Sequence, residues 1–140
     1  MGVDASLVGL RHKAALLVDE GLTVPGVSPH FAGFRDMPPV FATAFLVGFI
    51  EATCIEALQP HLAEGEATVG IHVDVSHVAV TPVGMTVTAE VELVEVDGRT
   101  LSFRVSARDE RDLIGEGVHR RALIDRDRFL ARMQAKSAGD

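Results

Sequence analysis

The chain has 140 residues, a length typical of one domain, so we expect a single domain spanning 1–140. Apolar residues make up 47% of the sequence, but no apolar run reaches the roughly 18 residues that a membrane-spanning helix needs, so we expect no membrane partner. The net charge of −7 argues against nucleic-acid binding, which requires a basic surface, and the single cysteine cannot form an intrachain disulfide, which favours a reducing cytoplasm.

The first part of the chain predicts a strand followed by a long loop. Residues 11–18 are assigned to the strand, and the stretch of about 22–39 is rich in Pro and Gly. A connection of this length without regular structure is often a functional lid in a small domain. Phe31, Phe34 and Met37 make this segment apolar, so we expect it to close over a ligand.

The next segment, Val40 to Leu58, predicts a long central helix. It contains no proline and ends before Pro60. Pro38 and Pro39 stand just before it, where proline presets the backbone of a first helical turn. Plotted at about 100° per residue, apolar side chains surround nearly the whole helix. One small sheet cannot cover such a helix, so we expect a homodimer.

After Gly65 the sequence changes to an alternation of apolar and polar residues, which predicts strands. Four runs show this alternation: 67–80, 85–96, 99–108 and 113–124. Asp97-Gly98 is the signature of a type I′ hairpin turn, and a second tight turn is expected near 109–112. Residues 127–136 predict a short terminal helix. One long helix followed by an antiparallel meander predicts an α+β fold whose sheet wraps around the helix, the element order of the hot-dog fold.

Glu51 stands out on the otherwise apolar helix. Four apolar residues point within about 40° of its direction, whereas Glu56 points about 140° away and can reach solvent. The four are Ala44, Val47, Ile55 and Leu58. A carboxylate on a buried face is costly unless it is paired, and buried ionisable groups concentrate at functional sites. We therefore keep two interpretations: a catalytic carboxylate, or one that pairs with an arginine or lies at an interface rim.

The predicted strand 67–80 places His77 on its inward face and His72 on its outward face, because residues two apart share a face. An inward histidine near an inward Glu51 would form an acid–base pair. The alternative, a histidine that only fills the core, fits the pattern equally well. A zinc site needs at least three ligands, and His119 is the only other nearby candidate, so we expect no metal.

Thr43 and Gly70 complete the candidate site. Thr43 precedes Glu51 by eight residues, about 12 Å along the helix axis, so a ligand lying along the helix could meet both side chains. In the first helical turn its hydroxyl would lie beside unpaired backbone N–H groups, which favour a developing negative charge. The alternative for Thr43 is a capping bond. Gly70 either leaves space for a ligand or marks a bulge.

Positive charge is concentrated near the C-terminus. Residues 1–98 hold 3 basic and 13 acidic side chains, whereas residues 99–140 hold 10 basic and 7 acidic ones. Guanidinium groups pair bidentately with phosphate, so the arginines of the second part could bind a phosphorylated small molecule. The alternative is a salt-bridged outer face of the sheet. These arginines include Arg104, Arg108, Arg111, Arg120 and Arg121.

An ordered set of short motifs resembles the fluoroacetyl-CoA thioesterases, a family of hot-dog enzymes. The set runs through Pro39-Val40-Phe41-Ala42-Thr43, Val47-Gly48, Glu51, Gly70, Ser76-His77, Thr81-Pro82, Leu101-Ser102, Arg104-Val105-Ser106-Ala107, Ile114-Gly115, Gly117 and His119. It spans about residues 10–135, which we take as the core of the domain. The resemblance implies a dimeric acyl-CoA thioesterase with its active site between subunits. Because CoA is part of the substrate, no cofactor is expected.

The resemblance also implies roles for particular residues. Thr43, Glu51 and His77 match the family's catalytic residues, Gly70 lies near the thioester, and Arg121 faces CoA. Glu51 could attack the thioester or activate water, while His77 would move protons and Thr43 would orient the reacting groups. We keep both possibilities for Glu51.

Two positions depart from the family pattern. Met37 stands where we expect an aromatic gate, although Phe34 is present upstream, and Ala52 replaces a bulky aromatic residue after the glutamate. We therefore expect hydrolysis of a short acyl-CoA, with fluoroacetyl-CoA as a candidate but without a preference for it. The alternatives are a hot-dog acyl-CoA hydratase, whose motif is not seen, and a non-catalytic acyl-CoA-binding protein.

Overall fold

The computed structural model describes residues 2–139, in which a five-stranded antiparallel sheet curls around one long helix. The elements are β1 (Arg11–Leu17), α1 (Thr43–Leu58), β2 (Glu66–Val75), β3 (Thr86–Asp97), β4 (Thr100–Arg108), β5 (Leu113–Asp125) and α2 (Arg126–Ser137). The strand order is β1-β3-β4-β5-β2, and every neighbouring pair is antiparallel. The predicted α+β class is confirmed. None of the helices in this described range is long and apolar enough to cross a bilayer.

One face of α1 packs against the sheet and forms the core. Its buried residues are Leu46, Ile50, Thr53, Cys54, Ala57 and Leu58. Burial alternates along most of β3 and β4, as the period of two in the sequence predicts. Leu93 of β3 and Phe103 of β4 are fully buried in the same cluster as these helix residues. The apolar pattern therefore predicted the two layers correctly.

The helix begins at Thr43, three residues later than predicted. Val40 and Phe41 instead form isolated bridges with Pro82 and Thr23. This pairing holds the chain extended before the helix. The prediction that the two prolines shape the first helical turn is therefore wrong, because they precede that turn by several residues.

The loop between β1 and α1 is more ordered than predicted. It contains three short 3-10 helices, Glu20–Leu22, Val24–Gly26 and Ala32–Phe34. Two backbone hydrogen bonds of 3.0 Å close its base, from Val24 to the Val40 carbonyl and from Ala42 to the Leu22 carbonyl. The expectation of a structureless 22–39 segment is therefore wrong, because short helices lie along it, and only the part beyond these bonds, where most residues are exposed, projects from the fold.

The four predicted strands after Gly65 are present, with two corrections. β2 ends at Val75 rather than near residue 80. The β3–β4 turn lies one residue later than predicted, because Asp97 pairs with Thr100 and leaves Gly98 and Arg99 as the central residues. Only Gly98 of these two has a positive φ, of 59°, which excludes a type I′ turn. The predicted terminal helix is confirmed as α2.

Two elements of the fold, β2 and α1, leave apolar groups uncovered. β2 is an edge strand, and its exposed residues include Ile71 and Val73, which are 52% and 45% exposed. On α1, Ala44 and Ile55 are also exposed, although they share a face with Glu51 that the sequence predicted to be buried. Within one chain that prediction holds for Leu58, which is fully buried, but is wrong for Ala44 and Ile55, because the sheet covers only part of the helix.

Candidate active site

The side chains of Thr43 and His77 meet at the N-terminal end of α1. Thr43 is the first residue of the helix, and its Oγ1 lies 2.7 Å from Nδ1 of His77. The His77 ring also packs edge to face with Phe41, with ring centroids 6.4 Å apart. Both residues were predicted from the sequence to belong to the site, but nothing in the sequence indicated that they bond to each other.

His77 lies just beyond the end of β2 and keeps the inward direction that the face argument predicted, because it is half-buried between exposed neighbours while His72 is exposed. Beyond β2 the chain stays bonded to β5: the Ser76 N–H donates to the Glu116 carbonyl at 3.0 Å, the Ser76 Oγ accepts the Glu116 N–H at 3.1 Å, and the Val78 N–H donates to the Ile114 carbonyl at 2.7 Å. The Ser76 carbonyl lies so close to Gly115 that a Cβ at that position would overlap it. Gly115 therefore lets the Ser76 backbone pack closely against β5, which fixes the segment that carries His77 to Thr43.

A second anchor holds the far end of this segment. Thr81 is fully buried, and its carbonyl accepts the Phe41 N–H at 2.9 Å while its Oγ1 donates to Asp109 Oδ2 at 2.8 Å. Asp109 also accepts the backbone N–H groups of Arg111 and Asp112, each at 2.8 Å. Desolvation acts to raise the pKa of Asp109, but these hydrogen bonds outweigh it and the pKa lies below its usual value. The segment that carries the histidine is thus tied at both ends.

The environment of the pair suits proton transfer. Burial lowers the pKa of His77, so the imidazole is neutral near pH 7 and can accept the Thr43 hydroxyl proton at Nδ1. The N–H groups of Thr43 and Ala44 precede the first α-helical hydrogen bond, which Leu46 donates to the Ala42 carbonyl at 2.9 Å. The pair therefore lies beside the positive end of a helix, where negative charge is favoured.

Glu51 belongs to a second cluster further along α1. Its Oε2 accepts a hydrogen bond from Arg121 Nη1 at 2.9 Å. Arg121 is only 3% exposed and also donates from Nε to the Thr68 hydroxyl at 2.9 Å and from Nη2 to the Thr68 carbonyl at 3.0 Å. The buried His119 places Nε2 3.1 Å from the same Nη1. The Glu51 side chain stays 37% exposed, so a buried cation holds a carboxylate that remains accessible.

Gly70 makes room for this second cluster. A Cβ at Gly70 would overlap Oε2 of Glu51 and would lie 3.3 Å from the His119 ring and 3.4 Å from the Arg121 guanidinium. The register of β2 against β5 also shifts between Gly70 and His72, which indicates a bulge. The space predicted at Gly70 is thus filled by the protein's own carboxylate, and the bulge that we considered as its alternative is present as well.

Arg121 has a different environment from the one that the resemblance implied. Its donors point inward to Glu51 and Thr68, so it does not offer a free guanidinium to a CoA phosphate. On the outer face, Arg104 pairs with Glu92 at 3.2 Å, as the salt-bridge alternative predicted. The alternative in which Glu51 pairs with an arginine is confirmed, but Arg121 was not predicted from the sequence to be its partner. The signal was available, because residues two apart on a strand share a face and Arg121 follows a histidine by two positions on β5.

The loop before α1 carries the two remaining predicted site residues, Phe34 and Met37. The rings of Phe31 and Phe34 pack edge to face with centroids 5.4 Å apart, and Met37 is 48% exposed. These side chains give the loop an apolar surface. Their contact with a substrate stays a prediction.

Cys54 is not suited to act as a nucleophile. Burial raises the pKa of the Cys54 thiol to about 12, so the nucleophilic thiolate does not form near neutral pH. Between residues 2 and 139, no three His, Cys, Asp or Glu side chains are grouped to hold a metal ion.

The two clusters occupy separate places on one chain. Thr43 and Glu51 lie eight residues apart on α1, about 12 Å along its axis. In the described residues, the His77 side chain bonds to Thr43, whereas the Glu51 side chain bonds to Arg121. The predicted acid–base pair of Glu51 with His77 is therefore not formed within one chain.

Comparisons with known proteins find relatives over nearly the whole chain. The family model described as fluoroacetyl-CoA-specific thioesterase matches residues 26–127. A fluoroacetyl-CoA thioesterase from Streptantibioticus cattleyicolor is 42% identical over 134 residues, which cover 96% of each protein.

Solved structures agree in fold. A variant of a fluoroacetyl-CoA-specific thioesterase in complex with fluoroacetate and CoA has a TM-score of 0.85 at 44% identity, with 87% of this chain and 98% of that chain covered. A hot-dog-like protein from Thermanaerovibrio acidaminovorans has a TM-score of 0.79 at 22% identity, with 92% and 91% covered. The predicted hot-dog fold is confirmed.

Proposed function

The chain belongs to the fluoroacetyl-CoA-specific thioesterase family, and we propose that it hydrolyses a short acyl-CoA, with fluoroacetyl-CoA as the first candidate, to the free acid and CoA. The bond between the Thr43 hydroxyl and a neutral His77 at the start of α1 carries this proposal. A relative that binds fluoroacetate and CoA supports the class of substrate. A protein that only binds acyl-CoA has no use for a hydroxyl poised against a neutral base.

The proposed first step transfers the acyl group to Thr43. Its Oγ1 attacks the thioester carbonyl carbon while the hydroxyl proton passes to Nδ1 of His77. The N–H groups at the start of α1 stabilise the resulting oxyanion. When the C–S bond breaks, His77 returns the proton to the sulfur of CoA. A thiol with a parent pKa near ~8.5 is a good leaving group, so no stronger acid is needed.

The proposed second step releases the acid. His77 takes a proton from a water molecule, whose oxygen attacks the acyl carbon of the Thr43 ester. When the C–O bond breaks, His77 returns that proton to Oγ1 and the free enzyme is restored. Glu51 accepts a hydrogen bond from this water and so orients it, while Arg121 holds the carboxylate in place.

We propose that the active unit is a homodimer formed along β2. This edge strand exposes Ile71 and Val73, and an uncovered apolar edge invites pairing with another strand. Antiparallel pairing of two copies about a two-fold axis between Val73 and Asp74 would set Gly70 opposite the partner's His77. The Glu51 carboxylate, which lies against Gly70, would then approach the Thr43–His77 pair of the partner subunit. The two separate clusters would form one site.

The proposed reaction needs water but no cofactor, because CoA is part of the substrate. We place it in the cytoplasm. The single buried cysteine, which needs no oxidising compartment, supports that location.

The test is CoA release from a panel of fluoroacetyl-, acetyl-, propionyl- and crotonyl-CoA. We expect release from the short acyl-CoAs, with fluoroacetyl-CoA among the substrates that turn over. Tight binding of every acyl-CoA without CoA release would show a binding protein instead. Hydration of crotonyl-CoA without release would show a hydratase.

A further inference from the structure

The imidazole of His119 is fully buried behind the Glu51–Arg121 ion pair. Its Nδ1 lies 2.8 Å from the His72 carbonyl and its Nε2 lies 3.1 Å from Arg121 Nη1. A carbonyl can only accept and a guanidinium can only donate, so the partners assign the tautomer. Nδ1 carries the proton, and Nε2 accepts a hydrogen bond from Arg121.

The pKa of His119 lies below its usual value, so its imidazole is neutral near pH 7. Burial is the main cause that lowers its pKa, and the nearby positive charge of Arg121 adds to that effect. A neutral acceptor satisfies a buried N–H of Arg121 without competing for its charge. If a carboxylate stood in place of the imidazole, Arg121 would interact with two anions, and its attraction to Glu51 would be weaker.

The hydrogen bonds of Arg121 show what the acceptor contributes. Nη1 has two hydrogens, of which one bonds to Glu51 and the other to His119. Nε and Nη2 bond to Thr68, so the guanidinium plane is fixed from three sides. Without an acceptor at His119, a buried N–H would lose its partner, and the guanidinium would rotate to find another one.

We propose that His119 is a positioning residue, whose Nε2 fixes the Arg121 guanidinium and so aims the accessible Glu51 carboxylate at the reacting water. This rests on the role proposed for Glu51 above. His119 has no contact with the substrate in this proposal, because its side chain is fully buried. Its bond to the His72 carbonyl sets the ring orientation, as outer groups do for catalytic side chains elsewhere.

Two amide substitutions test the acceptor at Nε2 of His119 separately from the donor at Nδ1. His119→Gln can place a carbonyl oxygen where Nε2 lies and keeps the bond from Arg121. His119→Asn can keep the donor to the His72 carbonyl but cannot reach the guanidinium. We expect kcat/KM to fall about 10-fold or more in His119→Asn and to stay within about 3-fold of wild type in His119→Gln, the scale of lost outer hydrogen bonds. Equal losses, or a larger loss in His119→Gln, would overturn the proposal.

A double-mutant cycle tests whether the effect passes through the carboxylate. In a Glu51→Gln background, His119→Asn should cause little further loss of kcat/KM, because there is no longer a charge to aim. Additive losses would show that His119 only supports the core.

Hydrogen exchange gives a readout that needs no turnover. The Arg121 Nε–H should exchange slowly in wild type and His119→Gln and at least about 10-fold faster in His119→Asn, as expected when a buried group opens more often. Equal protection in the two variants would refute the proposal even if wild type hydrolysed every acyl-CoA. If the wild type has no thioesterase activity, the proposed function is refuted. The exchange measurement would still test the role of His119 in that case.

Discussion

The hydroxyl oxygen of Thr43 lies 2.7 Å from Nδ1 of His77, although 34 positions separate the two residues in the chain. The bond forms because α1 begins at Thr43 and because the segment after β2 is anchored on β5 before it reaches the helix. It joins a weak nucleophile to a neutral base at the positive end of a helix.

Loss of either partner should therefore abolish most turnover. Thr43→Ala and His77→Ala are each expected to lower kcat/KM by at least ~10², the usual scale for a positioned acid or base. Thr43→Ser keeps the hydroxyl and should retain most activity. His61→Ala, at the 3-10 helix after α1, is the matched control and should leave CoA release unchanged. Wild-type turnover in Thr43→Ala would exclude the proposed acyl ester.

The pH profile should report the low pKa of His77. The base works in its neutral form, so activity is full above the folded-state pKa and is lost as the pH falls through it. Because burial lowers this pKa, the acid limb of kcat/KM should lie below the ordinary value of 6.5. The limb should persist in Glu51→Gln, which separates it from carboxylate titration. A limb at or above pH 6.5 would contradict the assignment.

Mixing two inactive variants tests the shared site. If Glu51 serves the partner's Thr43–His77 pair, a heterodimer of Thr43→Ala with Glu51→Gln contains one intact site and one doubly altered site. Random subunit exchange should then restore about one quarter of wild-type activity, since half of the dimers are mixed and each has one working site of two. Sites built within one chain would give no recovery. Light scattering at about 15 kDa, the monomer mass, would remove the dimer altogether.

Ser76 should matter for turnover more than for substrate affinity. Ser76→Ala removes the acceptor of the Glu116 N–H and loosens the segment next to His77. We expect kcat to fall about 10-fold with little change in KM, because small displacements of a reacting group are costly. Ser76→Thr retains the hydroxyl and serves as the control. A rise in KM alone would place the defect in substrate binding.

The residue at position 37 should influence acyl selectivity. Methionine is flexible and packs around different shapes, whereas a phenylalanine ring is rigid and excludes water in one geometry. Met37→Phe should therefore raise the ratio of kcat/KM for fluoroacetyl-CoA over acetyl-CoA. An unchanged or smaller ratio would remove Met37 from the selectivity argument, and a very large wild-type ratio would show that an aromatic gate is not needed.

The sequence predicted the elements well and their contacts less well. Strand alternation and the proline-free run located β3, β4, β5 and most of α1, because those patterns depend on burial along a single element. The bond of Thr43 to His77 depends on how the segment after β2 is held, and Ser76 anchors that segment on Glu116, forty residues away. Such a tertiary contact produces no periodic pattern in the sequence.

The inner cluster shows a different limit. Helical phase selected Glu51 but predicted burial, because the projection of one helix does not show which side the sheet will cover. Arg121 was singled out for its charge, and its inward direction follows from its strand position opposite Gly70. The alternation of faces along β5 could have indicated that Arg121 points inward. The reason for a glycine at position 70 became clear only when the side chains packed against it were known.

The hydrogen bonds at the base of the loop before α1 have a consequence for how such enzymes diverge. The bonds from Val24 to the Val40 carbonyl and from Ala42 to the Leu22 carbonyl fix both ends of the projecting part, whatever residues lie between. The entropy of closing a loop rises only slowly with its length, so insertions and deletions there cost little stability. If the loop contacts the acyl group as predicted, a lineage can exchange it and acquire a new acyl preference while Thr43 and His77 stay unchanged.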